Sequence, residues 1–196
     1  MANQQFNAAY YARYYGNANT CVADSDDVAR LGGFVAAYIN YLQLPVRRVL
    51  DMGCGLGLWR PVVESLLPRA TYTGVEVSAH LCKTYGYKRG SVVDYVGRGQ
   101  FDLVICQGVL QYLNAGDAKA AIANLGRLCR GVLYLEVLTQ EDWDENCDQN
   151  RTDGDVYLRD AAFYRKHLRR SFIALGGGVF LAKSADVTLY ELEKLG

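Results

Sequence analysis

The sequence has little of what would commit it to several functional classes. Two histidines, His80 and His167, and six cysteines without a C-x-x-C pair offer no ligand spacing for zinc, so no metal is expected. Lys and Arg number 21 and so do Asp and Glu, which leaves no net charge and disfavours a broad nucleic-acid or anionic-membrane surface. No apolar run approaches the ~18 residues of a membrane span. The opening Met1-Ala-Asn-Gln-Gln has neither the basic nor the apolar region of a secretory leader. Repeats and low-complexity tracts are also missing. Cys54, Cys82, Cys106 and Cys129 lie in apolar segments, where a reduced thiol behaves as a small hydrophobe, so a cytoplasmic location is expected.

What is present is a chain of 196 residues, 51% hydrophobic, long enough for one well-packed domain and short for two. Residues 1–44 read as a helical arm or lid. Phe6, Tyr10 and Tyr14, and Tyr11 and Tyr15, fall in adjacent rows at helical spacing. A second helix opens at Ser25-Asp26-Asp27, acids that complement its dipole. Residues 46–139 alternate short apolar strands with helices: strands at 49–51, 71–76, 91–94, 101–106 and 131–137, and helices at 58–67, 78–86 and 117–129. Residues 140–170 form a polar excursion followed by a helix through 163–170, and 171–196 hold two further strand candidates, 172–181 and 187–192. Continuous apolar strands alternating with helices predict an α/β fold, a Rossmann-like doubly wound sheet with helices on both faces.

In such sheets ligands sit beyond the carboxyl ends of the strands. Asp51, Glu76, Asp94, Gln107 and Glu136 all fall there. The most specific stretch follows the first strand, where Gly53, Gly55 and Gly57 alternate. Glycines at such spacing let the backbone turn sharply and approach a ligand closely. A dinucleotide-dependent oxidoreductase would show G-x-G-x-x-G with a pyrophosphate against the loop. The spacing here is G-x-G-x-G, and Asp51 would repel a pyrophosphate but suit a ligand carrying an amino group.

Five segments in series carry a family resemblance. They are Val49-Leu-Asp-Met-Gly-Cys-Gly-Leu-Gly, Tyr72-Thr-Gly-Val-Glu-Val-Ser, Gly90-Ser-Val-Val-Asp-Tyr, Phe101-Asp-Leu-Val-Ile-Cys-Gln-Gly-Val-Leu-Gln-Tyr-Leu and Gly131-Val-Leu-Tyr-Leu-Glu. Together they resemble the class I S-adenosylmethionine-dependent methyltransferases, particularly the small-molecule type. The resemblance implies seven mostly parallel strands with an antiparallel last strand, for which 187–192 is the candidate. It places Gly53, Gly55 and Gly57 beneath the methionine and ribose of the cofactor, with Cys54, Leu58 and Trp59 in the same loop region. It sets Asp51 toward the amino group, Glu76 on the ribose hydroxyls and Val77 beside the adenine. Gln107 and Gly108 fall at the methionine end. Ser91 stands where the family often has an acid, so the resemblance leaves that contact to the Ser91–Val92 backbone or to Asp94. Gln111-Tyr112 stands where many members have Glu-His, so a histidine base is absent from that position.

A sulfonium is already an activated methyl donor, so the protein's main task is to position the acceptor and exclude water. Glu136 is the leading candidate for a catalytic carboxylate, with Asp142, Asp144 and His167 behind it. Tyrosine faces attract cations, and Tyr11 and Tyr15 are the pair expected nearest the sulfonium, Tyr11 also counted with the catalytic group. The basic run Arg165, Lys166, Arg169 and Arg170 reads as a solvated helix face. The expected acceptor is a small molecule, with neither membrane nor nucleic acid as partner, and a monomer and a homodimer are both compatible with the sequence. A dinucleotide oxidoreductase and a non-catalytic cofactor-binding partner protein stand as the alternatives.

Overall fold

The computed structural model describes residues 6–14 and 25–195. The arm contributes α1 (Ala8–Tyr14) and α2 (Ser25–Tyr41). The core then runs β1 (Arg48–Met52), α3 (Trp59–Leu66), β2 (Thr71–Glu76), α4 (Ala79–Tyr85) and β3 (Lys88–Arg89). It continues with β4 (Phe101–Gln107), a 3₁₀ turn (Leu110–Tyr112), α5 (Ala115–Leu128), β5 (Cys129–Glu136), α6 (Gln140–Glu145) and α7 (Ala161–Leu168). The chain closes with β6 (Phe172–Gly176), β7 (Val179–Ala182) and a 3₁₀ turn (Glu191–Glu193).

The seven strands form one sheet in the order β3-β2-β1-β4-β5-β7-β6. The ladders β1 to β2, β1 to β4, β2 to β3 and β4 to β5 are parallel, whereas β7 runs antiparallel to both neighbours. Successive strand residues point to opposite faces, so Val104, Cys106, Leu133 and Leu135 join one core and Leu103, Ile105, Val132 and Tyr134 the other. The first core is closed by Ile122 and Leu125 of α5 and by Tyr164 and Leu168 of α7. The second is closed by Val28, Val35 and Ile39 of α2 and by Trp59 and Val63 of α3. The doubly wound sheet with helices on both faces is therefore observed. Among the described residues no helix is long and apolar enough to cross a membrane.

Two strand assignments need correction. The third strand is Lys88–Arg89, not 91–94. Its ladder with β2 ends at Glu76 against Arg89, after which the Gly90 N–H donates to the Glu76 carbonyl at 3.0 Å and the chain turns. Ser91 organises that turn: its Oγ accepts the Val93 N–H at 3.2 Å and its carbonyl the Tyr95 N–H at 2.8 Å. Val92 is buried, but by a turn folded onto the core rather than by a strand.

The antiparallel strand is Val179–Ala182, not 187–192. Gly176, Gly177 and Gly178 have φ of +93°, +57° and +76°, which L side chains rarely adopt, so the apolar run 172–181 folds back as a hairpin. Residues 187–192 lie beyond the sheet as a loop that leaves Tyr190 and Leu192 exposed. Smaller differences follow from capping. The Asn114 side chain accepts the Gly116 and Asp117 N–H groups and starts α5 at Ala115 rather than 117. The polar excursion contains α6, opened by a reciprocal box between Thr139 and Asp142. The following helix occupies Ala161–Leu168, displaced from the expected 163–170.

Candidate functional site

The carboxyl ends of β1, β2, β4 and β5 lie along one edge of the sheet and carry Asp51, Glu76, Gln107 and Glu136. The turn after β1 has Gly53, Gly55 and Gly57 at φ of +73°, +53° and +77°. Its Gly53 and Cys54 N–H groups donate to the Val75 carbonyl at 2.8 and 3.2 Å, which pins the turn across β2. A Cβ on Gly53 would lie 2.4 Å from Val109. On Gly55 it would meet nothing closer than 4.0 Å, in the open space between the loop and the Tyr11 ring.

Glu76 is buried and tied on both oxygens. Oε2 accepts the Gly55 N–H at 3.0 Å, and Oε1 accepts those of Val77 and Ser78 at 2.8 and 2.9 Å. An ionised carboxylate offers about four acceptor positions, so capacity for a further donor remains. Asp51 is also buried and accepts the Tyr72 hydroxyl at 2.6 Å; among the described residues no ion pair reaches it. Burial pushes its carboxyl up to about 7, with the nearby Glu76 charge adding to the rise and the Tyr72 hydrogen bond opposing it.

Two adjoining cavities occupy this edge. The smaller, about 150 Å³, is lined by Phe6, Tyr10, Tyr11, Gly53, Gly55, Glu76, Val77, Gly90, Ser91, Val92, Gln107, Gly108, Val109, Tyr112 and Leu113. The larger, about 560 Å³, runs past Asp51, Gly53, Cys54, Gly55, Leu56, Leu58 and Trp59 to Gln107, Gly108, Gln111, Glu136, Val137 and Leu138. Its outer wall comes from Tyr10, Tyr14 and Tyr112 and from the excursion, through Asp142, Cys147, Asp148, Arg151, Thr152 and Asp153. Gly53, Gly55, Gln107 and Gly108 are common to both.

A polar chain crosses the floor of the larger cavity. Trp59 Nε1 donates to Gln107 Oε1 at 2.7 Å, and Gln107 Nε2 donates to Glu136 Oε2 at 3.1 Å. The Tyr134 hydroxyl reaches the same Glu136 oxygen at 2.9 Å. The Gln107 amide is thus oriented by a partner at each end, and Glu136 is held on one oxygen only by these bonds.

The arm closes over the cleft. Ser78 Oγ donates to the Phe6 carbonyl at 2.7 Å, and the Phe6 ring lies edge-on to Tyr10 and Tyr112 with centroids 5.1 and 5.0 Å away. The Tyr10 and Tyr112 hydroxyls are 2.7 Å apart, and Tyr112 also donates to Asp153 Oδ2 at 3.2 Å. Residues 157–159 then strap the 3₁₀ turn that carries Gln111 and Tyr112. The Tyr157 N–H donates to the Gln111 carbonyl at 2.7 Å, and the Arg159 guanidinium donates to the Leu110 and Leu113 carbonyls and to the Tyr164 hydroxyl. Gln111 itself is 8% exposed, and among the described residues its side-chain Oε1 has no hydrogen-bond partner.

Most residues singled out in the sequence meet at this cleft. Asp51, Gly53, Cys54, Gly55, Leu58, Trp59, Gln107, Gly108 and Glu136 line the larger cavity. Tyr11, Glu76, Val77, Ser91 and Val92 line the smaller. Gly57 does not: a Cβ there would run into the Tyr87 hydroxyl at 2.0 Å, so its role is close packing behind the loop. Tyr15 lies outside the described residues. Tyr10 and Tyr14 line the larger cavity, which the row assignment favouring Tyr11 and Tyr15 did not foresee.

Asp142 reaches that cavity but is spent on the Thr139 capping box, and the hydrogen bond from Thr139 holds its carboxyl below the usual range. Asp144 accepts from Gln140 and lines neither cavity, and His167 packs against Phe163 on α7, away from the cleft. Arg165, Lys166, Arg169 and Arg170 are exposed, as expected for a solvated face. Gln111, Tyr112, Arg151 and Asp153, which also line the larger cavity, were not among the expected site residues. Only the Gln-Tyr departure at 111–112 could have signalled them.

Residues 50–131 match the family model described as a methyltransferase domain. No curated protein sequence matches the chain. Among solved structures, an S-adenosylmethionine-dependent methyltransferase from Clostridium acetobutylicum shares 12% identity at a TM-score of 0.63, over 94% of this chain and 100% of that one. The magnesium protoporphyrin IX methyltransferase of Synechocystis with bound S-adenosylhomocysteine shares 21% at a TM-score of 0.60, over 96% and 98%. An O-methyltransferase family protein from Burkholderia thailandensis shares 16% at 0.57, over 83% and 59%. At these identities the likeness is one of fold.

Proposed function

We propose that this chain is a class I S-adenosylmethionine-dependent methyltransferase and that it methylates a small molecule seated in the larger cavity. The observation that carries this reading is the adjoining pair of cavities, joined at Gly53, Gly55, Gln107 and Gly108. One is flanked by the Glu76 carboxylate and the other opens toward the excursion. A volume of about 560 Å³ lies in the range of small-molecule sites, about 300–1,000 Å³.

The donor set suits the cofactor. Asp51 is a buried carboxylate with no cationic partner among the described residues, and an amino group would supply one. Glu76 retains acceptor capacity for ribose hydroxyls, and the bare Gly55 leaves space that any side chain would fill. Val77, Ser91 and Val92 would flank the adenine. Cys54, Leu58, Trp59, Gln107 and Gly108 would flank the methionine, and Tyr11 would lie over the loop. When bound, the sulfonium supplies an electrophilic methyl group. The protein's part is to hold the acceptor in line and exclude water, through the Tyr10–Tyr112 contact above and the Trp59–Gln107–Glu136 chain below. Glu136 orients the acceptor and can take its proton.

Calorimetry with S-adenosylhomocysteine and with NAD tests the reading. Binding of the first and not the second is expected. Binding of NAD without S-adenosylhomocysteine would replace it with a dinucleotide oxidoreductase.

A further inference from the structure

We propose that Tyr72, which lines neither cavity, is a positioning residue for cofactor binding: its hydroxyl fixes one oxygen of Asp51 and leaves the other to receive the ligand's amino group. This rests on the methyl-donor reading of the same cleft and adds to it a residue that acts through Asp51.

The register of the sheet builds the pair. β1 and β2 run parallel with Val49 beside Tyr72 and Asp51 beside Gly74, so Tyr72 stands two residues short of the carboxylate on the same face. Two residues of strand span about 6.6 Å, a distance that a tyrosine ring and its hydroxyl can bridge. Gly74 leaves the place beside Asp51 without a side chain; a Cβ there would lie 2.8 Å from the Tyr87 ring and 3.0 Å from Cys54 Sγ. The Tyr72 ring packs against the core that holds Val49, with the Arg60 guanidinium of α3 5.5 Å from its centroid.

Asp51 Oδ2 accepts the Tyr72 hydroxyl at 2.6 Å, and no other hydrogen bond reaches the carboxylate among the described residues. Gln111 Oε1 is the one side-chain polar atom that is both sealed from solvent and unpartnered among those residues, so Asp51 Oδ1, which is also unpartnered, is not sealed. It opens on the larger cavity, which Asp51 lines.

The core does not need this pair. Phenylalanine at 72 would fill the same space without burying a hydroxyl, and a buried polar group is costly unless it is bonded. What the hydroxyl adds is control of Asp51. It holds the carboxylate in one orientation, and a bond donated to the charged form favours ionisation. Burial and then the Asp51 charge push the Tyr72 hydroxyl well up, so it remains a donor. Glu76 on β2, Cys54 in the glycine turn, Cys106 on β4 and Tyr87 after α4 also face Asp51, and none is a cation. Tyr72 is therefore the one group among the described residues that offsets the burial of Asp51.

The test is calorimetry on the full chain and on Tyr72→Phe, with S-adenosylhomocysteine and with 5′-methylthioadenosine, which keeps the nucleoside and the sulfur but has no amino group. The midpoint of the pH profile for S-adenosylhomocysteine is expected to move up by about one pH unit in the variant. Its affinity then falls about eightfold at pH 6.5 and less than about twofold at pH 8.5, while that of 5′-methylthioadenosine stays within about twofold at both. Should the variant fail to fold, Tyr72→3-fluorotyrosine keeps the ring and strengthens the donor, and the midpoint is expected to move down instead. An unmoved midpoint, or equal losses for the two ligands at both pH values, overturns the inference. If the unsubstituted protein binds neither ligand, the methyl-donor reading itself falls; if it binds S-adenosylhomocysteine and the substitution leaves the midpoint in place, only the role of Tyr72 does.

Discussion

Glu76 accepts the backbone N–H of Gly55 at 3.0 Å, tying the acidic end of β2 to the glycine turn that follows β1. The same carboxylate holds the Val77 and Ser78 N–H groups, so one side chain organises the two loops that flank the smaller cavity. Glu76→Ala leaves three backbone donors without their charged partner. With bonds to charged groups each worth about 1.5–3 kcal/mol and water filling part of the gap, a loss of about 2–4 kcal/mol is expected. Thermal denaturation should show the midpoint falling by about 5–15 °C, and S-adenosylhomocysteine affinity should drop at least tenfold by calorimetry.

Asp51 makes a prediction in pH. Its carboxyl is pushed up to about 7, so in the free protein it contributes stability that is full below its unfolded value near 4 and lost as pH rises to about 7. Binding of a cationic amino group favours the ionised form and so works in the opposite sense. A group titrating at about 7 is about one-tenth ionised at pH 6 and about nine-tenths at pH 8. S-adenosylhomocysteine affinity should therefore rise about tenfold across that window, and Asp51→Asn should flatten the profile. A profile equally steep in the variant would assign the titration elsewhere.

Tyr11 lines the smaller cavity, with its ring edge facing the open side of Gly55. A desolvated cation over a tyrosine is worth about 2 kcal/mol. Tyr11→Ala should weaken S-adenosylmethionine binding severalfold or more, and the uncharged S-adenosylhomocysteine by less. Equal losses for the two ligands would make the ring a steric wall rather than a partner of the sulfonium.

Gln111 makes a prediction about the free protein. Replacing the Gln111 amide, whose oxygen is buried and unpartnered among the described residues, with a leucine of similar volume removes a desolvated acceptor. Gln111→Leu should raise the denaturation midpoint by about 2–4 °C, equivalent to about 1 kcal/mol in a chain of this size. A lowered midpoint would mean that the amide supports the fold.

The glycine-turn side of the cleft was legible in the chain because its requirements are local. A turn needing positive φ at residues 53, 55 and 57 selects glycine, and strands buried on both faces read as apolar runs ending in Asp51, Glu76, Gln107 and Glu136. The antiparallel last strand was expected, but its position was decided by a three-glycine hairpin that folds β7 between β5 and β6. Gly57 shows the limit of motif reasoning in one residue. Its spacing places it with the loop, and only the approach of Tyr87 shows that it faces away from the cleft.

The sequence by itself determined the alternation of strands and helices and the glycine turn, because backbone conformation and apolar periodicity act over a few residues. Tertiary structure alone decided the outer wall of the larger cavity. Tyr10 meets Tyr112, Tyr112 meets Asp153, and Arg159 braces Leu110 and Leu113 across separations of 41 to 102 residues. Such contacts arise when the arm and the excursion pack over the same sheet edge, and no local pattern encodes which of their side chains will meet.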